Sequence, residues 1–205
     1  MLKIWGRITS INVQKVVWTA GELGLPFERI DVGGSYGGVD TAEYARMNPN
    51  RLVPTIDDDG FILWESNAIV RYLASRHGAG RIWPGDLRTR ADADRWMDWQ
   101  ATSFGPLMRD AFVGLIRTPP EQRNAERIDT AAAHSNRLGL ILEDWLAGRQ
   151  WLTGEDFTVA DIAVGAQVHR WFGLPLDRPD TPRVQAWYDK LRARPAAQAA
   201  LVELA

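Results

Sequence analysis

The sequence predicts a two-part chain: a small four-stranded α/β layer over residues 1–80, then an all-helical part over residues 86–205. Three observations predict it. A strand, a helix and a second strand follow one another near the start; two short apolar runs flank Asp57-Asp58-Asp59-Gly60; and every periodic segment after Gly85 repeats at helical spacing.

Leu2 to Trp5 alternates around Lys3 as a strand, and Val13, Val16, Val17, Ala20 and Leu23 form one face of a helix. Gly24 ends that helix and Pro26 follows it, so Phe27 to Val32 reads as the second strand of a right-handed parallel unit. Gly33 to Gly38 is a loop whose glycines lack the spacing of a phosphate-binding turn. A short helix is expected from Thr41 to Met47, broken by Asn48-Pro49-Asn50. Leu52 to Ile56 and Phe61 to Trp64 then pair as an antiparallel hairpin. A helix with Ala68, Ile69, Tyr72 and Leu73 on one face begins at Ser66 or Asn67, either of which is a natural N-cap.

In the second part, Arg88 to Ile116 is one long helical pattern that Pro106 should kink or interrupt. Glu121 to Leu146, Val159 to Phe172 and Val184 to Arg194 are further helices. Ten tryptophans are far above ordinary usage, and bulky aromatics of this kind are expected mainly in the core.

Composition narrows the chemistry. With no cysteine there is no disulfide, no Cys-ligated metal and no thiol nucleophile of the chain's own. Any thiol chemistry must use a borrowed thiol. The 24 Lys and Arg against 26 Asp and Glu disfavour a nucleic-acid surface or a polybasic membrane patch. No apolar run is long enough to span a bilayer and no secretory signal is evident, so a cytoplasmic protein is expected. His77, His134 and His169 are scattered without metal-ligand spacing, so no metal is expected, and the charged residues of the late helices read as solvated surface.

Three places carry more specific signals. Thr9, Ser10 and Asn12 sit in the turn before the first helix, where free N–H groups and the helix dipole favour an anion such as a thiolate, unless the hydroxyl simply caps the helix. In Arg51-Leu52-Val53-Pro54, the proline marks an edge, a bulge or a cis bond that leaves Val53's backbone free for a ligand. Glu65-Ser66, at another helix start, offers a carboxylate for an ammonium group and an N–H for a carboxylate. Together they suit a small peptide with an amine, carboxylates, an extended backbone and an anionic sulfur.

The order of elements, the Ser10-x-Asn12 turn, Val53-Pro54, Trp64-Glu65-Ser66-Asn67-Ala68-Ile69 and the late Thr158-Val-Ala-Asp161-Ile162 resemble the cytosolic glutathione transferase family, above all its bacterial and theta-like members. The resemblance covers essentially the whole chain. It implies a thioredoxin-like first domain and an all-helical second one, with Pro54 in a cis peptide. Val53 would pair with the cysteinyl backbone of glutathione, Glu65 and Ser66 with its γ-glutamyl end, and the segment Arg51-Leu52 lies where relatives contact the glycyl carboxylate. Ser10 would hold the sulfur as a thiolate, with Thr9 and Asn12 as the alternatives.

Thr158 and Asp161 resemble the family's buried folding signal: Thr158 caps a helix, Asp161 reaches back, and Phe157 staples onto Ile162. The resemblance further implies an enzyme that activates glutathione, its co-substrate, for attack on a small apolar electrophile. It also implies a homodimer. Trp99, Phe104, Met108, Phe112 and Trp171 are the candidates for the electrophile pocket. A dedicated dehalogenase, isomerase or lyase using glutathione, or a non-catalytic binding protein of the same fold, are the alternative readings. The missing cysteine disfavours the branch that forms mixed disulfides through its own sulfur.

Overall fold

A computed structural model describes residues 1–204. β1 (Leu2–Trp5), α1 (Ile11–Leu23) and β2 (Phe27–Ile30) form the parallel unit; α2 (Ala42–Met47) leads to the hairpin of β3 (Thr55–Asp58) and β4 (Phe61–Trp64), and α3 (Ser66–His77) closes the layer. The sheet order is β2-β1-β3-β4, with β1 parallel to β2 and antiparallel to β3. Leu2, Ile4 and Ile56 are buried on the face covered by α1 and α3. Gly24 takes a left-handed φ of 67° and its N–H returns to the last turn of α1, which is why the helix stops there.

Local boundaries differ from the expectations wherever the chain bends to build a loop. β2 ends at Ile30 because the carbonyl of Val32 already accepts the Arg7 N–H, which turns residues 31–33 out of the sheet. β3 begins at Thr55 rather than Leu52, whose carbonyl is taken by the Tyr44 hydroxyl and the Asn48 amide. The N-cap of α3 is Glu65, not Ser66 or Asn67; the Asn67 side chain points inward instead, donating to the Met97 carbonyl.

The helical part comprises α4 (Leu87–Trp99), α5 (Gly105–Phe112), α6 (Ala125–Trp145), α7 (Val159–Gly173), α8 (Pro182–Arg192) and α9 (Pro195–Ala200). The pattern expected to kink at Pro106 instead runs on through two π-helical turns, Gln100–Phe104 and Val113–Arg117, which flank α5. The Gly105 N–H reaches back to the Gln100 carbonyl, and this wider register lets the proline, which has no N–H to donate, sit in the first turn of α5. α6 starts at Ala125, where Asn124 accepts the Arg127 N–H at 3.0 Å, and a 3-10 turn takes up residues 120–122. α9 was not anticipated; its alanine-rich sequence has no strong periodicity, and it forms because it packs on α1.

α1 is enclosed by α3, α7 and α9, so it is buried almost all round, and Gln14, Lys15 and Thr19 lie inside with the expected apolar face. Arg71 pairs with Asp94 and Asp98, and Arg194 grips Glu22 through two contacts of 2.7 Å, further tying the helical part to the layer. Asp161, fully buried at the start of α7, accepts the Thr158 and Leu152 N–H groups at 2.9 and 3.0 Å and Trp187 Nε1–H at 3.0 Å. Burial nevertheless pushes its carboxyl up to about 6.

Candidate functional site

A cleft of about 690 Å³ opens between the α/β layer and the helical part, within the range of small-ligand sites. Its first wall is the turn from β1 to α1. Ser10, at the N-cap of α1, is buried to 8 % exposure yet lines the cleft, and its hydroxyl makes no capping bond. The hydroxyl thus has no hydrogen-bond partner among the described residues, at the positive end of a thirteen-residue helix. Asn12 is exposed and lines the cleft; Thr9 is half-buried and does not.

The second wall comes from the segment before β3 and the start of α3. Val53–Pro54 is a cis peptide, and Val53's N–H and carbonyl make no backbone hydrogen bond among the described residues. Arg51, Leu52 and Val53 line the cleft, as do Glu65, Ser66 and Asn67, while Pro54 is buried behind them. Glu65 holds φ at 71°, a conformation rare for a residue with a side chain, and its carboxylate is exposed without a hydrogen bond among the described residues. Such local strain concentrates at ligand-binding positions.

The third wall is helical and departs most from expectation. Of the five aromatic and sulfur side chains proposed for the electrophile pocket, Phe112 alone lines the cleft. Phe104, Met108 and Trp171 are fully buried and Trp99 is half-buried, because the helices close over them. Trp99, Phe104 and Trp171 form a chain of rings with centroids 5.2 and 6.1 Å apart, and Trp171 packs so tightly on Gly139 that an added Cβ there would lie 2.3 Å from the ring. They are packing residues.

Arginines take the place of the expected apolar lining. Arg7, Lys15, Arg51, Arg109, Arg117 and Arg170 face the cleft, against one acid, Glu65. Arg51 approaches Asp40 at 3.9 Å; the side chains of Arg7, Arg109, Arg117 and Arg170 have no ion pair or hydrogen bond among the described residues. Arg170 lies 3.9 Å from the Phe112 ring centroid and Arg117 4.7 Å from the same centroid. The two guanidiniums are therefore within roughly 9 Å of each other, where like charges repel by about 2 kcal/mol at an effective dielectric of about 20. Burial, then Arg117 and Arg7, lower the Arg170 pKa to about 9, so it still carries its charge at neutral pH.

Arg7 lies flat along the glycine loop. A Cβ on Gly34 would stand 3.0–3.2 Å from its Nε, Cδ and Cζ atoms, and Gly34 also has a left-handed φ of 60°. The loop makes room for a guanidinium.

Lys15 forms part of the floor. Its Nζ donates to Asn67 Oδ1 at 2.9 Å and Gln100 Oε1 at 3.0 Å, and Gln100 donates in turn to Gln167 at 3.0 Å. Burial pushes its pKa down to about 7, opposed by the attraction of Glu65. Neither this polar chain nor the arginine group emerged from sequence reasoning. Arg7, Arg117 and Arg170 are separated by many tens of residues, and the only local signal was the absence of i±4 acidic partners around Arg170.

Residues 9–76 match the family model described as glutathione S-transferase, N-terminal domain, and residues 105–195 match glutathione S-transferase, C-terminal domain. The chain is 42% identical over 200 residues to glutathione S-transferase GstB of Escherichia coli (strain K12), covering 97% of this chain and 96% of that one. It is 31% identical over 199 residues to the disulfide-bond oxidoreductase YfcG of the same organism, covering 94% and 91%. Among solved structures, the theta class glutathione S-transferase of Xanthomonas axonopodis pv. citri with glutathione bound superimposes with a TM-score of 0.96 at 43% identity, covering 100% of this chain and 99% of that one.

Proposed function

Because the chain belongs to the glutathione S-transferase family, we propose that its cleft takes glutathione on the α/β side and that Ser10 holds the sulfur as a thiolate for attack on a small electrophile. The observation that carries this is the free Ser10 hydroxyl at the start of α1. A free thiol has a pKa near 8.5, and lowering it by about two units requires about 2.7 kcal/mol of preference for the anion. One hydrogen bond to a charged sulfur and a helix N-terminus are together of that size. In the reaction the thiol proton passes to solvent, the sulfur–carbon bond forms, and a leaving group, where there is one, departs with its electron pair.

The other walls supply orientation. Val53 offers the paired N–H and carbonyl that an extended peptide needs, as a β-strand edge does. Glu65 faces the γ-glutamyl ammonium, and the Ser66 N–H and hydroxyl at the start of α3 face its carboxylate. Arg51 is the cation on this side for the glycyl carboxylate. We further assign the chain to the cytoplasm as a homodimer, the state that the resemblance implies; light scattering reads the mass directly.

Ser10→Ala is the test. The expected result is a loss of about a hundredfold in kcat/KM, with the thiol pKa of bound glutathione raised by about one to two units and its Kd little changed. An unaltered thiol pKa in Ser10→Ala, with the loss appearing in Asn12→Ala or Thr9→Ala instead, would assign the role to that residue.

A further inference from the structure

The helical wall of the cleft is cationic in a chain whose net charge is -2, and its arginines have no ion pair among the described residues. Four arginines without an acidic partner are brought to one cavity from three separate stretches of chain. Arg170 is the most telling, since its Nε is buried with no hydrogen-bond acceptor, and a buried donor without an acceptor is costly. Arg117 shares the Phe112 ring with it and, with Arg7, repels its charge, and the glycine loop accommodates Arg7 at close range. Guanidinium groups converging on an open cavity match the planar, bidentate geometry of a carboxylate.

We propose that the second substrate is a small electrophile bearing a carboxylate, and that Arg7, Arg117 and Arg170 hold that carboxylate beside Phe112. The inference rests on the reading that glutathione occupies the α/β side of this cleft. The carboxylates of glutathione are the competing source of the anion. Arg109, Arg117 and Arg170 belong to the helical part, however, whereas Arg51, Glu65 and Ser66 belong to the layer. The helical part thus supplies two of the three cations of the anion site, Arg117 and Arg170, and Arg7 reaches it from the β1–α1 turn of the layer. In the reaction with a haloacetate, the sulfur of glutathione bonds to the methylene carbon, the carbon–halogen bond breaks, and halide leaves with the electron pair while the carboxylate is unchanged.

Iodoacetate and iodoacetamide are the smallest matched pair that tests this, and the absence of cysteine removes protein thiol alkylation as a complication. Rates are measured with glutathione and divided by the uncatalysed rate for each reagent. The expected result is an acceleration at least about tenfold greater for the acid than for the amide. Arg170→Met and the exposed Arg117→Met should bring that ratio towards one through the KM for iodoacetate, with the KM for glutathione changed less than about twofold.

An amide accelerated as well as the acid would overturn the proposal, and so would a loss falling on the KM for glutathione, which would give the arginines to the peptide's own carboxylates. If Arg170→Met does not fold, Arg117→Met, at an exposed position, gives the same readout. Failure of calorimetry to detect glutathione binding would instead sink the reading of the cleft itself.

Discussion

Lys15 shows how much a single residue can hide. In sequence it is one charged position on an amphipathic helix and gives no sign of burial; in the fold α3, α7 and α9 close around α1, leaving the ammonium to Asn67 and Gln100. Its pKa falls from near 10.5 to about 7, so between those values the unfolded chain carries a proton that the native chain lacks. Unfolding takes up that proton, and stability rises with pH across the window, with a slope approaching about 1.4 kcal/mol per pH unit. Lys15→Met removes this dependence: the stability of the wild type relative to the variant, from urea unfolding, should climb between about pH 7 and pH 10. Parallel curves would mean that the lysine is hydrated in the native state. Ser10 is the contrasting case, because its place before an apolar helical pattern made it legible, although only the structure shows that its oxygen is not spent on capping.

Elements were legible where their determinants are local. The 3.6-residue periodicity of α1, the glycine that ends it, and the Asp57-Asp58-Asp59-Gly60 turn of the β3–β4 hairpin each act within a few residues. Boundaries set by distant partners were not: β3 starts late because Tyr44 and Asn48 claim the Leu52 carbonyl, and the π turns beside α5 reflect packing around a proline. The start of α7 combines both kinds. Thr158 and Asp161 could be read as a capping pair, yet Asp161 also anchors Leu152 and Trp187, which lie nine residues before it and twenty-six after it. Asp161→Ala strips three buried N–H groups of their acceptor and should destabilise the protein by about 3 kcal/mol, lowering Tm by about 6–12 °C. Differential scanning calorimetry checks this, and an unchanged Tm would show that α7 starts equally well without the carboxylate.

At the scale of the whole molecule, the meeting of the two parts matters most, and sequence reasoning saw least of it. Each part was legible alone, but their shared cleft takes its charge from residues whose nearness exists only after folding. Arg7 follows β1, Arg117 ends a π turn and Arg170 lies in α7, so no window of sequence holds two of them. The 26 acidic residues, apart from Glu65, lie outside the cleft, so a molecule of net charge -2 presents a concentrated positive field at the opening between its two parts. Low-dielectric walls focus such a field and draw anions in. Glutathione, with two carboxylates, one ammonium and a developing thiolate, is drawn in as well as the carboxylated partner. Its capture should therefore weaken as salt screens the cleft, with kcat/KM falling several-fold between about 50 and about 500 mM salt. The double variant Arg7→Met/Arg117→Met should flatten that slope, because it removes two of the six cations without touching Ser10, Glu65 or Ser66. Steady-state rates at low substrate across a salt series measure both slopes; equal slopes in wild type and variant would mean that steering comes from charges outside the cleft.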